Sequence, residues 1–181
     1  MHSAIKILFF LVSATFICSC TNNSNTGIQT VKISDKSSVF KVIVDGIVKE
    51  DDVFALYYTT DESIDFGKNQ PIWKTVKGNP KKQHIEFALP KKVHPTQLRI
   101  DLGRNQKQAD IYIKKISLAY KGKMLEIPGS FVFSYFRPDI KKTTIDASTG
   151  LVRGIIKDGK RQSPSLYPKE TLNDKIEYLF E

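Results

Sequence analysis

Cysteine is nearly absent: the chain has two, Cys18 and Cys20, both in its first twenty residues. Whatever folds after them has no disulfide and no thiolate metal site, so a hydrophobic core must hold it. Histidine is almost as scarce, with His2, His84 and His94 in 181 residues. His84 and His94 sit beside lysines in or near strand ends and belong to no recognisable catalytic motif. No glycine-rich phosphate loop occurs, and "DGK" at Asp158–Lys160 lacks the repeated oxygen ligands of a calcium loop. Asp51, Asp52, Asp61, Glu62 and Asp65 are acidic, but they read as loop and turn residues. A glycosidase would need two carboxylates facing each other across a defined gap. Long apolar runs are missing too. The longest, "ILFFLVSATFIC" from Ile7, is about a dozen residues or roughly 18 Å as a helix, short of the ~30 Å of a bilayer core.

That run comes after Lys6 and ends in Ile17-Cys18-Ser19-Cys20, beyond which "TNNSNTG" is polar. A positive start, a short apolar stretch and small residues before a cut are the order of a secretory signal. A metal pair at Cys18 and Cys20 would need further ligands nearby, and the tether supplies none.

What is abundant is alternation. "SVFKVIVDG", "DVFALYYTT", "PIWKTVKG", "QHIEFALP", "QLRIDLG" and "ADIYIKKISLAYKG" are rich in β-branched and aromatic residues, with turn residues at about 8–12-residue spacing. His84, Glu86 and Ala88 point one way, and Ile85, Phe87 and Leu89 the other. Leu98, Ile100 and Leu102 form a core set opposite Arg99 and Asp101. Ile111 and Ile113 lie on one phase and Ile116, Leu118 and Tyr120 on the other, which predicts a β-bulge or a change of sheet at Lys114-Lys115. Lys121-Gly122 and the "KDGK" stretch read as hairpin tips. Leu172, Ile176, Leu179 and Phe180 share a helical face after Pro168. The expectation is an all-β chain: an antiparallel β-sandwich or jelly roll with a short C-terminal helix. The expected organisation is a signal peptide over 1–19, a cysteine and polar tether over 20–27, and a single β-sandwich domain over 28–181.

Net charge is +9, from lysine pairs scattered along the chain. Two readings stand: an anionic partner such as acidic polysaccharide or phospholipid headgroups, or solvated edges where lysine blocks edge-to-edge pairing. No nucleic-acid motif accompanies the charge. Sugar binding gives a more specific idea, because sugars stack on exposed rings and hydrogen-bond to planar polar groups. Trp73 is the only tryptophan, and either it belongs to the core or it provides a stacking wall. Tyr57 and Tyr58, adjacent on a strand, must face opposite ways. Arg99 and Asp101 leave one strand face about 7 Å apart. Either they form a surface ion pair across strands, or they floor a groove. Trp73, Arg99 and Asp101 are the candidate ligand-binding residues; no catalytic residue, metal site or cofactor is assigned.

Ile17-Cys18-Ser19-Cys20 resembles the lipobox of bacterial lipoproteins. The resemblance implies cleavage before Cys20 and lipid attachment to it, with Cys18 lost in the signal. The succession "VFALYYTT", "HIEFALP", "LRIDLG", "IYIKKISLAY" resembles carbohydrate-binding-module-like jelly rolls of bacterial envelope and polysaccharide-related proteins. A short domain behind a lipobox is similar to lipoproteins of Bacteroidota, which implies an outer-membrane anchor on the periplasmic face. The implied function is a non-catalytic glycan-binding or polysaccharide-related accessory. A structural lipoprotein docking another envelope protein is the alternative.

Overall fold

The computed structural model describes residues 29–32, as backbone, and residues 37–181. The signal, Cys20 and the tether lie outside the described residues. The chain is an antiparallel β-sandwich with a short helix at its C-terminal end. Its strands are β1 (Gln29–Lys32), β2 (Lys41–Val48), β3 (Asp52–Thr59), β4 (Ile72–Val76), β5 (Asn79–Ala88), β6 (Gln97–Asp101) and β7 (Ile111–Tyr120). They continue with β8 (Lys123–Pro128), β9 (Phe136–Pro138), β10 (Thr143–Asp146), β11 (Leu151–Gly154), β12 (Ile156–Lys157), β13 (Lys160–Arg161) and β14 (Ser165–Pro168). Helix α1 (Val132–Tyr135) is a single turn, and α2 (Glu170–Phe180) comes after β14.

The first sheet is built on β7, which pairs with β2, β8 and β11; β5 extends it beyond β2, β1 beyond β8 and β10 beyond β11. The second has the order β4-β3-β6-β14-β9. Strands β12 and β13 form a separate ribbon. One continuous core lies between the sheets. Val42, Val44, Ile85, Phe87, Ile116 and Leu118 come from the first, and Phe54, Leu56, Leu98, Ile100 and Leu166 from the second. Each such side chain contributes about 1.5–3 kcal/mol by leaving water, which is how the domain does without a disulfide.

The alternation places these residues as expected. Ile85, Phe87 and Leu89 are buried, as are Leu98, Ile100 and Leu102. The phase switch in β7 is a bulge: Asp45 pairs with Lys115 but Gly46 with Ile113, leaving Lys114 unpaired on that side. The extra residue re-phases the strand, so Ile111 and Ile113 before it and Ile116 and Leu118 after it all reach the core. At the β7–β8 tip Lys121 and Gly122 have φ of 46° and 82°, the left-handed pair a two-residue turn requires. Helix α2 buries Leu172, Ile176 and Leu179, while the Phe180 ring stacks on Phe40 at 5.6 Å. The aromatic stretch after Pro128 folds as a 3-10 turn, Gly129–Phe131, and then α1, with Val132, Phe133, Tyr135 and Phe136 buried.

Asp52 corrects the reading of the acidic residues as loop and turn positions. It opens β3 and is only 6% exposed. Its Oδ1 accepts from the amides of Val53, Arg104 and Asn105 at 2.8, 2.6 and 3.0 Å, and Gln108 Nε2 donates to Oδ2 at 3.0 Å. This carboxylate satisfies the turn after β6, and the close approach is possible because Gly103 (φ 89°) has no Cβ to collide with it. The segment carrying Arg104 is thereby held rigidly on the second sheet.

Candidate functional site on the outer face of the second sheet

Strand pairing decides which of the candidate residues meet. Trp73 on β4 lies opposite Ala55 on β3, and Ala55 in turn lies opposite Asp101 on β6. Two residues along, Tyr57 lies opposite Arg99. Residues two apart share a face, so Trp73, Arg99 and Asp101 all stand on the outward side, away from Leu98 and Ile100. Trp73 is 43% exposed, which removes it from the core. Tyr58 is buried and Tyr57 half-buried outside, dividing that pair between the two faces.

The row continues onto β14 and β9. Leu166 pairs with Ile100, bringing Tyr167 beside Arg99, and Tyr167 pairs with Arg137. The result is Tyr57, Arg99, Tyr167, Arg137 on four adjacent strands. The Arg99 guanidinium carbon is 4.6 Å from the Tyr57 ring centroid and 4.9 Å from that of Tyr167; Arg137 is 5.0 Å from the Tyr167 ring. Trp73 meets Tyr57 edge-to-face at 6.4 Å, and Arg104 lies 4.0 Å from the Trp73 ring centroid. Arginine stacks in this way because its guanidinium is flat and weakly hydrated on its faces.

Arg99 and Asp101 are an ion pair, but along one strand rather than across two. Nε donates to Oδ1 at 2.8 Å and Nη2 to Oδ2 at 2.7 Å. Burial works against the Arg99 charge, yet the hydrogen bond and charge of Asp101 outweigh it and hold the guanidinium pKa above its ordinary value. The fork geometry fixes the plane of Arg99, and with it the spacing of the two tyrosine rings.

The segment between β3 and β4 forms a wall that meets the row at Tyr167. Phe66 packs edge-on against Tyr167 at 5.9 Å, and Asn69 Nδ2 donates to the Tyr58 carbonyl at 3.2 Å. Lys68 binds Asp61 at 2.5 Å, and Asp61 also accepts from the Ser63 hydroxyl at 2.7 Å, pushing its carboxyl down to about 2. At the β9 edge of the sheet a depression of about 450 Å³ is lined by Arg137, Pro138, Asp139, Ile140, Lys141 and Tyr167.

Elsewhere the acidic and imidazole groups have local partners. Asp51 meets Lys77 at 2.7 Å, Asp65 accepts from the Gly67 amide, and His84 Nδ1 is 2.9 Å from Asp45. His94 stacks on Phe180 with ring centroids 4.2 Å apart. Among the described residues no cluster of three or more His, Cys, Asp or Glu side chains could hold a metal ion, and no helix is long and apolar enough to cross a membrane.

Tyr57, Arg104, Arg137 and Tyr167 are absent from the set read off the sequence. Tyr57 shares its strand phase with Ala55, a usable signal once Trp73 faces outward. Tyr167 and Arg137 arrive by long-range pairing, which no local pattern encodes. No family model, curated protein or solved structure matches the chain.

Proposed function

We propose that this is a lipid-anchored protein of the bacterial envelope that binds a glycan on the outer face of its second sheet and catalyses nothing. The supporting observation is the alignment of Trp73, Tyr57, Arg99 and Tyr167 on one partly exposed sheet face, held by cross-strand register and by the Arg99–Asp101 fork. A rigid row of rings and planar donors suits a hydroxyl-rich ligand, because little side-chain freedom is lost when it binds. The anchor rests on Ile17-Cys18-Ser19-Cys20 and on the polar tether after it; outer-membrane attachment on the periplasmic face rests on the same resemblance. Docking of an envelope protein would call for a contiguous apolar patch. Such a patch would draw on the exposed Ile64, Ile140, Ile156 and Phe131.

A glycan array probed with the full chain tests the reading. Trp73→Ala should lose binding to any retained glycan while its melting temperature stays close to that of the parent, since the ring is 43% exposed. Unchanged binding by Trp73→Ala would remove this face from consideration. Mass spectrometry of the mature N-terminus checks the anchor, and an unmodified Cys20 would remove it.

A further inference from the structure

The chemistry of the same face narrows its ligand, provided that the face binds a glycan at all. The aromatic faces are already engaged: Arg99 lies between Tyr57 and Tyr167, Arg137 also contacts Tyr167, and Arg104 covers Trp73. A sugar stacking there competes with a guanidinium for ring surface. What remains in supply is N–H. An arginine has five such donors, and Asp101 takes one from Nε and one from Nη2 of Arg99. Nη1 of Arg99 has no acceptor among the described residues. The exposed side chains of Arg104 and Arg137 have neither a hydrogen bond nor an ion pair among them, and the Lys141 ammonium beside Arg137 has none either.

The carboxylates nearest this face have partners of their own: Asp52 accepts from the Arg104 and Asn105 amides, Asp61 pairs with Lys68 and Asp65 accepts from the Gly67 amide. Asp101 is neutralised by Arg99. Asp139 accepts from the Lys141 amide at 3.0 Å and lies 3.9 Å from the Lys142 ammonium. Stacking removes water from a guanidinium's faces and leaves its edges for planar oxyanions, which bind in two parallel hydrogen bonds. A neutral glycan would displace water from these cations without supplying charge. Trp73 on β4 and Arg137 on β9 are separated by the full width of the sheet, four strand steps or roughly 19 Å. One monosaccharide cannot touch both ends.

We propose that the ligand is an acidic oligosaccharide bearing several carboxylates, gripped by Arg104 beside Trp73 at one end and by Arg137 and Lys141 beside Tyr167 at the other. The test uses the full chain, purified in detergent, with polygalacturonate as the carboxylated probe, dextran as the neutral one and oligo(dT) as a polyanion without sugar carboxylates. Polygalacturonate should bind and dextran should not. Replacing Arg104→Gln and Arg137→Gln together should weaken binding by on the order of a hundredfold, at about tenfold for each charge-assisted hydrogen bond removed. The paired change Lys81→Gln and Lys82→Gln on β5 of the first sheet should leave binding unchanged. Equal retention of dextran, insensitive to the arginine changes, would overturn the acidic specificity and leave the glycan reading standing. Failure to bind either polysaccharide on this face would take down both. Oligo(dT) binding as tightly as polygalacturonate, through the same arginines, would overturn the sugar identity of the ligand.

Discussion

The two outward faces of the sandwich arrange their charged side chains to opposite effect. On the first sheet, Asp45 lies 2.9 Å from His84 and 3.7 Å from Lys115, Lys115 reaches Glu126 at 2.5 Å, and Lys41 reaches Glu86 at 3.3 Å. Acid answers base from strand to strand, as cross-strand pairs on a solvated sheet commonly do. On the second sheet one carboxylate, Asp101, answers one of three arginines, and the other two rest on aromatic rings. The charges on the central strands of the first face are answered, whereas the arginines of the second face keep unused donors. Positive net charge alone would not distinguish them; placement does.

The largest test of this difference strikes the support of the second face. Asp52→Ala removes the acceptor for three backbone amides and for Gln108. Leaving buried donors unpaired should cost about 3 kcal/mol or more, read by denaturant unfolding. Arg104 sits on the freed turn, so binding at the Trp73 end should weaken beyond what the stability loss explains. A loss below about 1 kcal/mol would mean that solvent replaces the carboxylate.

A matched pair of substitutions sharpens the comparison. Arg99→Ala leaves Asp101 half-buried without its fork and opens the space between Tyr57 and Tyr167. The expected cost is about 1–2 kcal/mol, together with loss of glycan binding. Lys115→Gln on the first face should cost less than about 1 kcal/mol and leave binding untouched. If Lys115→Gln damages binding as much as Arg99→Ala does, the ligand responds to net charge and the face assignment is wrong.

How much of this contrast was legible in the sequence depends on distance along the chain. Period-two alternation assigns a side chain to a face, and it placed Arg99 and Asp101 together outside and Leu98, Ile100 and Leu102 inside. The bulge at Lys114 was legible because hydrophobic residues change phase there. Which strands become neighbours is not local information. Tyr57, Arg99, Tyr167 and Arg137 are drawn from four separated segments, and only the order β3-β6-β14-β9 makes them a row. The burial of Asp52 was hidden for a related reason. A carboxylate goes inside only if donors converge on it, and three of its four donors come from the segment Arg104–Gln108, half a hundred residues away.

The smallest expected effect is a difference in pH response. On the first face, the hydrogen bond to Glu126 raises Lys115 above its ordinary 10.5, with burial opposing and the charges of Glu126 and Asp45 assisting. A raised lysine stabilises fully below 10.5 and loses that contribution as pH climbs through the higher folded value. Beside the second face, Lys68 and then Ser63 lower Asp61 from 3.8 to about 2. A lowered aspartate stabilises fully above 3.8 and loses its contribution as pH falls towards about 2. The first face should therefore loosen in alkali alone, whereas the wall carrying Phe66 should loosen in strong acid and also in alkali, because the hydrogen bond to Asp61 raises Lys68 above its ordinary 10.5. An NMR titration tracking the Asp61 carboxyl and the Lys115 ammonium measures both. Asp61→Asn should remove the acid step of the Asp61–Lys68 pair and leave the Lys115 titration in place, and Lys115→Gln should leave the Asp61 titration in place. An Asp61 titrating near 3.8 would mean that Lys68 does not hold it in solution, and the wall beside Tyr167 would then lack that tie.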